Sequence, residues 1–395
     1  MASRWIHETL WSEWFWLPDG TNWEDFKSDD PSVHLPNLHD MFLPSILVGL
    51  LLLIFRYFNE RLVVIPIAKK LGVKVRTPYV LVPNHALEEA YSKNSREKNA
   101  DIIKGLAKKT CMSAREVERW LRKRSQKDVP SAMQKFTECS WHFIFYSSMF
   151  VYGMVILWKK SWFWETKHCW INWPRQHVDR DVYWYYLLEM AFYWSLTFTV
   201  LIDHKRKDFT EMVVHHFVTL MLMFFSYGLN FIRVGTLVLV VHDASDFWMA
   251  AAKMAKYSKH QSTCEGCFVM FVITWIISRL IIYPFRVIYT SLIEIYYILP
   301  WFISHAFFNL LLLVLQVLHI IWSYMIFRIL LQKFQHGALK KDVRSDSESQ
   351  ESDDVDENED DKKDDTEKKN HMNDNSTRMT TRMTTRARSQ QKGTM

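Results

Sequence analysis

The sequence predicts an all-α polytopic membrane protein, and three observations carry that expectation. Apolar residues are 49% of the chain and are gathered into long runs. Polar material is segregated into a block near residues 85–135 and a tail from 336 onward. Aromatics reach 15%, with 18 Trp and 26 Phe, while Gly and Pro number only 10 and 11 in 395 residues. A chain that separates these classes so sharply is sorting its residues between lipid and water.

Runs of about 18–25 apolar residues, the length a bilayer demands, place seven spans at 41–58, 140–158, 183–202, 212–229, 232–251, 268–289 and 301–331. Counts of six or eight are the alternatives. The stretch 284–300, "PFRVIYTSLIEIYYILP", is apolar but bounded by Pro284 and Pro300, so most of it is expected to be loop or re-entrant. Residues 1–40 are Trp-rich and acidic and lack the pattern of a signal peptide. The span 41–58 is therefore expected to be the first inserted helix.

Orientation follows from the cations. Arg56, Arg61, Lys69, Lys70, Lys74 and Arg76 follow the first span, and "HKRK" (204–207) the third. Lys253, Lys256 and Lys259 follow the fifth, and Arg328 and Lys333 close the seventh. This bias predicts a lumenal N-terminus and a cytosolic C-terminus, although Lys159, Lys160, Arg175 and Arg180 lie on the other side. The net charge of +6 then reflects topology and requires no nucleic acid. Five cysteines are too few for a disulfide framework. Cys264 and Cys267 form a CxxC with no second half nearby, so no metal is expected there.

Between the spans, 75–130 reads as a small cytosolic helical block. "SREKNADIIKGLAKKT" (95–110) is one short helix, and "SAREVERWLRKRSQKDVP" (113–130) a second. Ser113 and Glu116 form a capping box, and Val117, Trp120 and Leu121 an apolar stripe. The pair resembles the last helices of a homeodomain. Lys123 stands where the recognition helix would need Asn, so no specific DNA binding is expected. Anionic headgroups or an anionic ligand account for the basic helix more simply. The tail 336–395 lacks apolar surface and is expected to be disordered. Ser345, Ser347, Ser349 and Ser352 sit among acids that suit an acid-directed kinase, and a plain solubilising tail is the alternative. Asn375 heads a glycosylation sequon that a cytosolic tail would leave unmodified.

Ionisable groups inside a bilayer cost at least ~2.5–3.5 kcal/mol each, so they mark a cavity or a site by default. Here they cluster on three neighbouring spans. The third carries Glu189, with Tyr193 and Ser195 near it; the fourth follows Asp208 and carries His215 and His216. The fifth carries Arg233, His242, Asp243 and Asp246. His215 lies seven residues past Asp208, and Asp246 and Asp243 lie seven and ten before Lys253. At ~1.5 Å per residue both sets lie roughly 10–15 Å deep, so His and Asp are expected to meet in the cytosolic half of the membrane. An imidazole beside a carboxylate is a general base or a nucleophile. Zinc ligation and structural packing are the competing uses, and adjacent histidines aim poorly at one ion.

Residues 203–257, "DHKRKDFTEMVVHHFVTL…RVGTLVLVVHDASDFWMAAAKMAKY", resemble the signature motif of the ceramide synthases. These belong to the membrane superfamily shared with the translocon-associated TRAM proteins. The likeness rests on "KRKDF", the tandem His, "RVGTLVL", "HD-x-SD" and "AAKMA-x-Y". "MQKFTECSWHFIFY" (133–146) is similar to the family's segment before the second span, and the acidic serine tail to that of animal members. The resemblance runs over roughly 40–355 in order. One departure is Ala250, where many relatives carry Glu.

The resemblance implies a lumenal segment 1–40, the homeodomain-like block 75–130 and a catalytic multi-span domain at 133–335, in the endoplasmic reticulum membrane. It implies N-acylation, in which a fatty acyl-CoA thioester and the 2-amine of a sphingoid base become a ceramide and free CoA. No cofactor beyond acyl-CoA as co-substrate is expected. His215 or His216 would accept the amine proton or carry the acyl group, and the residues leave open which. Asp243 and Asp246 would orient and balance it, with His242, Glu189 and Tyr193 toward the substrate. Lys205, Arg206, Lys207 and Asp208 would hold the cytosolic mouth, and Arg233 is a weaker candidate. Homo- or hetero-dimerisation stays open. The rival readings are a non-catalytic lipid-sensing or translocon-associated protein of the same fold, and a membrane-tethered DNA regulator.

Overall fold

A computed structural model describes residues 11–28, 30, 32–76, 81–93, 100–128, 130–202 and 209–336. All regular structure among them is helical. The chain divides into two units, one of residues 1–94 and 130–340, the other of 95–129 and 341–395. The described part of the second unit is a pair of packed helices, Ala100–Thr110 and Ala114–Asp128. The expected capping box is present: Glu116 N donates to Ser113 Oγ at 3.2 Å, and Ser113 N donates to Glu116 Oε2 at 2.8 Å. Val117 and Trp120 are buried and Leu121 is half-buried. The tail from 337, with its four serines and Asn375, lies outside the described residues, as do Lys205, Arg206, Lys207 and Asp208.

The first unit contains seven long helices: α1 (Leu38–Asn59), α2 (Ala132–Leu157), α3 (Arg180–Ile202), α4 (Phe209–Gly228), α5 (Ile232–Tyr257), α6 (Gln261–Trp275, prolonged to Leu292) and α7 (Ile303–His336). Each of the seven expected spans falls on one of them. Among the described residues, α1, α2, α4, α6 and α7 are long and apolar enough to cross a membrane, and the polar residues gather on α3, α4 and α5. Exposed apolar side chains cover the outside: Leu47, Leu51 and Ile54 on α1, Ile273 and Ile277 on α6, and Val317 and Ile320 on α7. A surface of that kind is stable in hydrocarbon and aggregates in water.

α5 is the central helix. It packs against α2, α3, α4 and α6, and buried residues occur on nearly every face of it. A polar residue on α5 therefore faces protein, not lipid. α3 is approached closely: a Cβ added at Gly49 of α1 would lie 2.8 Å from Ala191 O. Gly49→Ala should lower the thermal midpoint of the purified protein through overpacking of about 1–3 kcal/mol. Gly266→Ala in α6, where nothing lies within 4 Å, should be neutral or stabilising.

Short segments close the end of the bundle where α1, α3, α5 and α7 begin. Asn230 turns α4 into α5 with φ 53°, and its Nδ2 donates to Pro174 O at 2.7 Å and Gln176 O at 2.8 Å. Asn is among the few residues that visit that left-handed backbone, and here its amide is held by two carbonyls of the distant 174–176 segment. Asp25, which receives Asn22 N–H and the Arg175 guanidinium, is held below the usual carboxylate range by these two donors.

One expectation fails. The chain does not become a loop at Pro284. A π-helix runs from Ile276 to Ile288 and α-helix continues to Leu292, before a 3-10 turn at Glu294–Tyr297. A proline removes one N–H and crowds the preceding turn, and the wider π turn relieves both.

Candidate active site

The tandem histidines sit about two turns into α4, where their side chains leave the helix about 100° apart. The Tyr193 ring of α3 stands against both, at centroid distances of 6.1 Å to His215 and 6.0 Å to His216. Trp322 of α7 meets His215 edge-on at 5.4 Å. His216 is only 3% exposed, whereas His215 is half-buried.

Around these rings polar atoms go unsatisfied. His215 Nδ1, both His216 nitrogens and Thr219 Oγ1 are buried without a hydrogen-bond partner, and the buried Glu189, Asp243 and Tyr185 side chains have only one another. The carboxyls of Glu189 and Asp243 are neighbours across the α3–α5 contact. An unsatisfied buried polar group costs about 1–3 kcal/mol, so proteins keep few of them. Their concentration on α3, α4 and α5 marks a place built to receive polar atoms from elsewhere.

The carboxylates divide their roles. Asp246 is paired, but with a residue that lies outside the three expected spans. Arg279, in the π-helix, directs Nη2 to Asp246 Oδ1 at 2.9 Å, to His242 O at 2.6 Å and to Ser245 Oγ at 3.3 Å. Its Nη1 lies 3.3 Å from His319 Nε2 of α7. His242 Nδ1 faces Val238 O at 2.6 Å, and a carbonyl can only accept, so Nδ1 carries the hydrogen. His242 Nε2 lies 3.1 Å from His319 Nε2. No hydrogen bond joins either tandem histidine to Asp243 or Asp246. The two sets share one polar region through Tyr193, Trp322 and Trp275 instead of pairing directly.

A narrow apolar cavity runs from this region along α5. Tyr193, Thr219 and His242 line one end, and Trp170, Ser291 and His305 the other. Phe231 and His242, eleven residues apart on α5, both line it, so it follows the helix for roughly 16 Å. Arg233 lies apart from the histidines: its Nη1 donates to His168 O at 2.7 Å, and its guanidinium lies over Trp162 at 4.7 Å. Ala250 is buried, with no carboxylate to place there. Among the described residues no three His, Cys, Asp or Glu side chains converge as metal ligands.

Arg279, His319, Tyr283 and Trp322 were missed in the sequence. A signal existed: Arg279 is a cation inside "FVITWIISRLIIY", and His319 interrupts "LLVLQVLHIIW". The rule that flagged the middle spans flags these as well when applied to every span.

A helical bundle with an apolar outer surface and a cluster of buried polar groups beside an apolar cavity defines a polytopic membrane protein. The TLC domain of the TRAM, LAG1 and CLN8 group matches residues 135–328. Ceramide synthase 5 of Homo sapiens is 40% identical over 346 residues, 87% of this chain and 88% of that protein. Ceramide synthase 3 of Mus musculus is 41% identical over 340 residues, 86% and 88% respectively. Ceramide synthase 4 of Homo sapiens is 37% identical over 347 residues, 88% of each. The chain belongs to the ceramide synthase family.

Proposed function

We propose that this protein is a ceramide synthase that transfers a fatty acyl group from acyl-CoA to the amine of a sphingoid base. The observation that carries this reading is the cluster of buried polar groups around the tandem histidines, which Tyr193 and Thr219 join to the end of an apolar cavity that the histidines themselves do not line. The cavity suits an acyl chain, and the polar head suits a thioester carbonyl and an amine. The protein is placed in the endoplasmic reticulum membrane, with its N-terminus lumenal.

His215 is the acyl acceptor in this reading, because it is the less buried of the tandem pair. Its nitrogen attacks the thioester carbonyl, the C–S bond breaks, and CoA leaves as thiolate to take up a proton. The base arrives as an ammonium, and the Glu189 and Asp243 carboxyls are suited to receive that charge. Glu189 or Asp243 takes the ammonium proton, the freed amine attacks the acyl-imidazole and the C–N bond to His215 breaks as the amide forms. His216 or His242 relays the amine's second proton to the departing His215 ring, which regains the proton it gave to the CoA thiolate. CoA stays at the mouth where α5 ends, where Lys253 and Lys256 supply positive potential.

The test is expression in a host lacking its own activity, with membranes fed a sphingoid base and acyl-CoAs of graded length. Ceramide is expected, with a maximum at one range of chain lengths. Membranes that bind acyl-CoA but form no amide would overturn the reading.

A further inference from the structure

We propose that Tyr186, Ser226 and Gly235 form a collar partway down the cavity that limits which acyl chains pass. The inference rests on the acyl-chain reading of the cavity, and all three residues line it. Tyr186 of α3 is buried, and its hydroxyl bonds Ser226 Oγ of α4. Ser226 Oγ itself donates to Met223 O at 3.2 Å, so it accepts from the tyrosine and tethers the ring. That ring lies directly against Gly235 of α5. A Cβ there would stand 2.6 Å from the Tyr186 hydroxyl and 2.8 Å from its Cε2. Three helices thus meet around the bore at one level, and the absence of a side chain at 235 seats the Tyr186 ring against α5, so a side chain there drives the ring into the bore.

The level follows from helix geometry. Tyr186 precedes Tyr193 by seven residues, and Gly235 precedes His242 by seven, so both place the collar roughly 10 Å from the polar head. A zigzag of ~1.5 Å bonds at ~111° advances about 1.3 Å per carbon, so the collar lies beside about the eighth acyl carbon. Beyond it the cavity continues to Phe231, Trp170 and His305. A plug at this level spares short chains and blocks long ones.

Gly235→Val and Gly235→Ala in the full-length protein test this, each assayed with octanoyl- and palmitoyl-CoA in the same preparation. The palmitoyl-to-octanoyl rate ratio is expected to fall roughly tenfold or more in Gly235→Val, and less in Gly235→Ala. The octanoyl rate should stay within about threefold of wild type in both. Parallel loss at both lengths in a variant of wild-type melting temperature, or an unchanged ratio, would overturn the collar. Should Gly235→Val not assemble, Tyr186→Ala gives the opposite readout. It should admit an acyl-CoA methyl-branched near carbon 10 that the wild type rejects, and equal use of that probe by the wild type also defeats the proposal. Because every readout is a ratio within a protein that makes ceramide, failure of the collar is distinct from failure of the catalytic reading.

Discussion

His215→Ala should lose ceramide formation by at least about 10³-fold, while His216→Ala should lose roughly 10²–10⁴-fold. The difference follows from surroundings. His215 is half-buried and edge-on to Trp322, whereas His216 is sealed with both nitrogens unpartnered. In the proposed reaction the nucleophile must reach a thioester that enters from the mouth, and His215 is the more exposed residue of the two. Incubation with acyl-CoA alone, followed by peptide mass analysis, should find the acyl group on the peptide containing His215 in wild type. His216→Ala should still acquire it, and His215→Ala should not. Undiminished ceramide formation by both alanine variants would end the catalytic assignment.

Arg279→Met should destabilise the protein by about 3–5 kcal/mol, because it leaves the Asp246 carboxylate buried without its partner. For a helical unit of this size that corresponds to roughly 10 °C in the thermal midpoint. Arg279 side-chain exposure is 3%, and its partner's is 19%, so water replaces little of what is lost. Adding Asp246→Asn to Arg279→Met should recover much of the loss, since the unpaired charge is then gone. Arg279→Lys should not restore activity. One ammonium cannot serve His242 O, Asp246 and His319 with the planar geometry of a guanidinium. A Met variant that melts within a degree of wild type would show that the pair contributes nothing.

The two cases differ in how far they could be foreseen. Seven apolar runs located α1 to α7, because hydrocarbon thickness dictates how many residues a span needs. The tandem histidines and "HD-x-SD" stood out because ionisable groups in such runs are expensive. Pro284 misled, since a proline reads as a break until a π turn is known to absorb it. Equal depth suggested that His215 and His216 would bond Asp243 and Asp246, but depth says nothing about rotation around a helix axis.

By itself, then, the sequence located the apolar helices, the polar character of the middle three, and the family. Those depend on local composition and on one-dimensional spacing. Only the tertiary structure decided that Asp246 belongs to Arg279, that His242 faces His319, and that Gly235 lies beneath the Tyr186 ring. Each of these contacts joins helices distant in sequence, and its geometry is set by how the helices rotate and approach when packed.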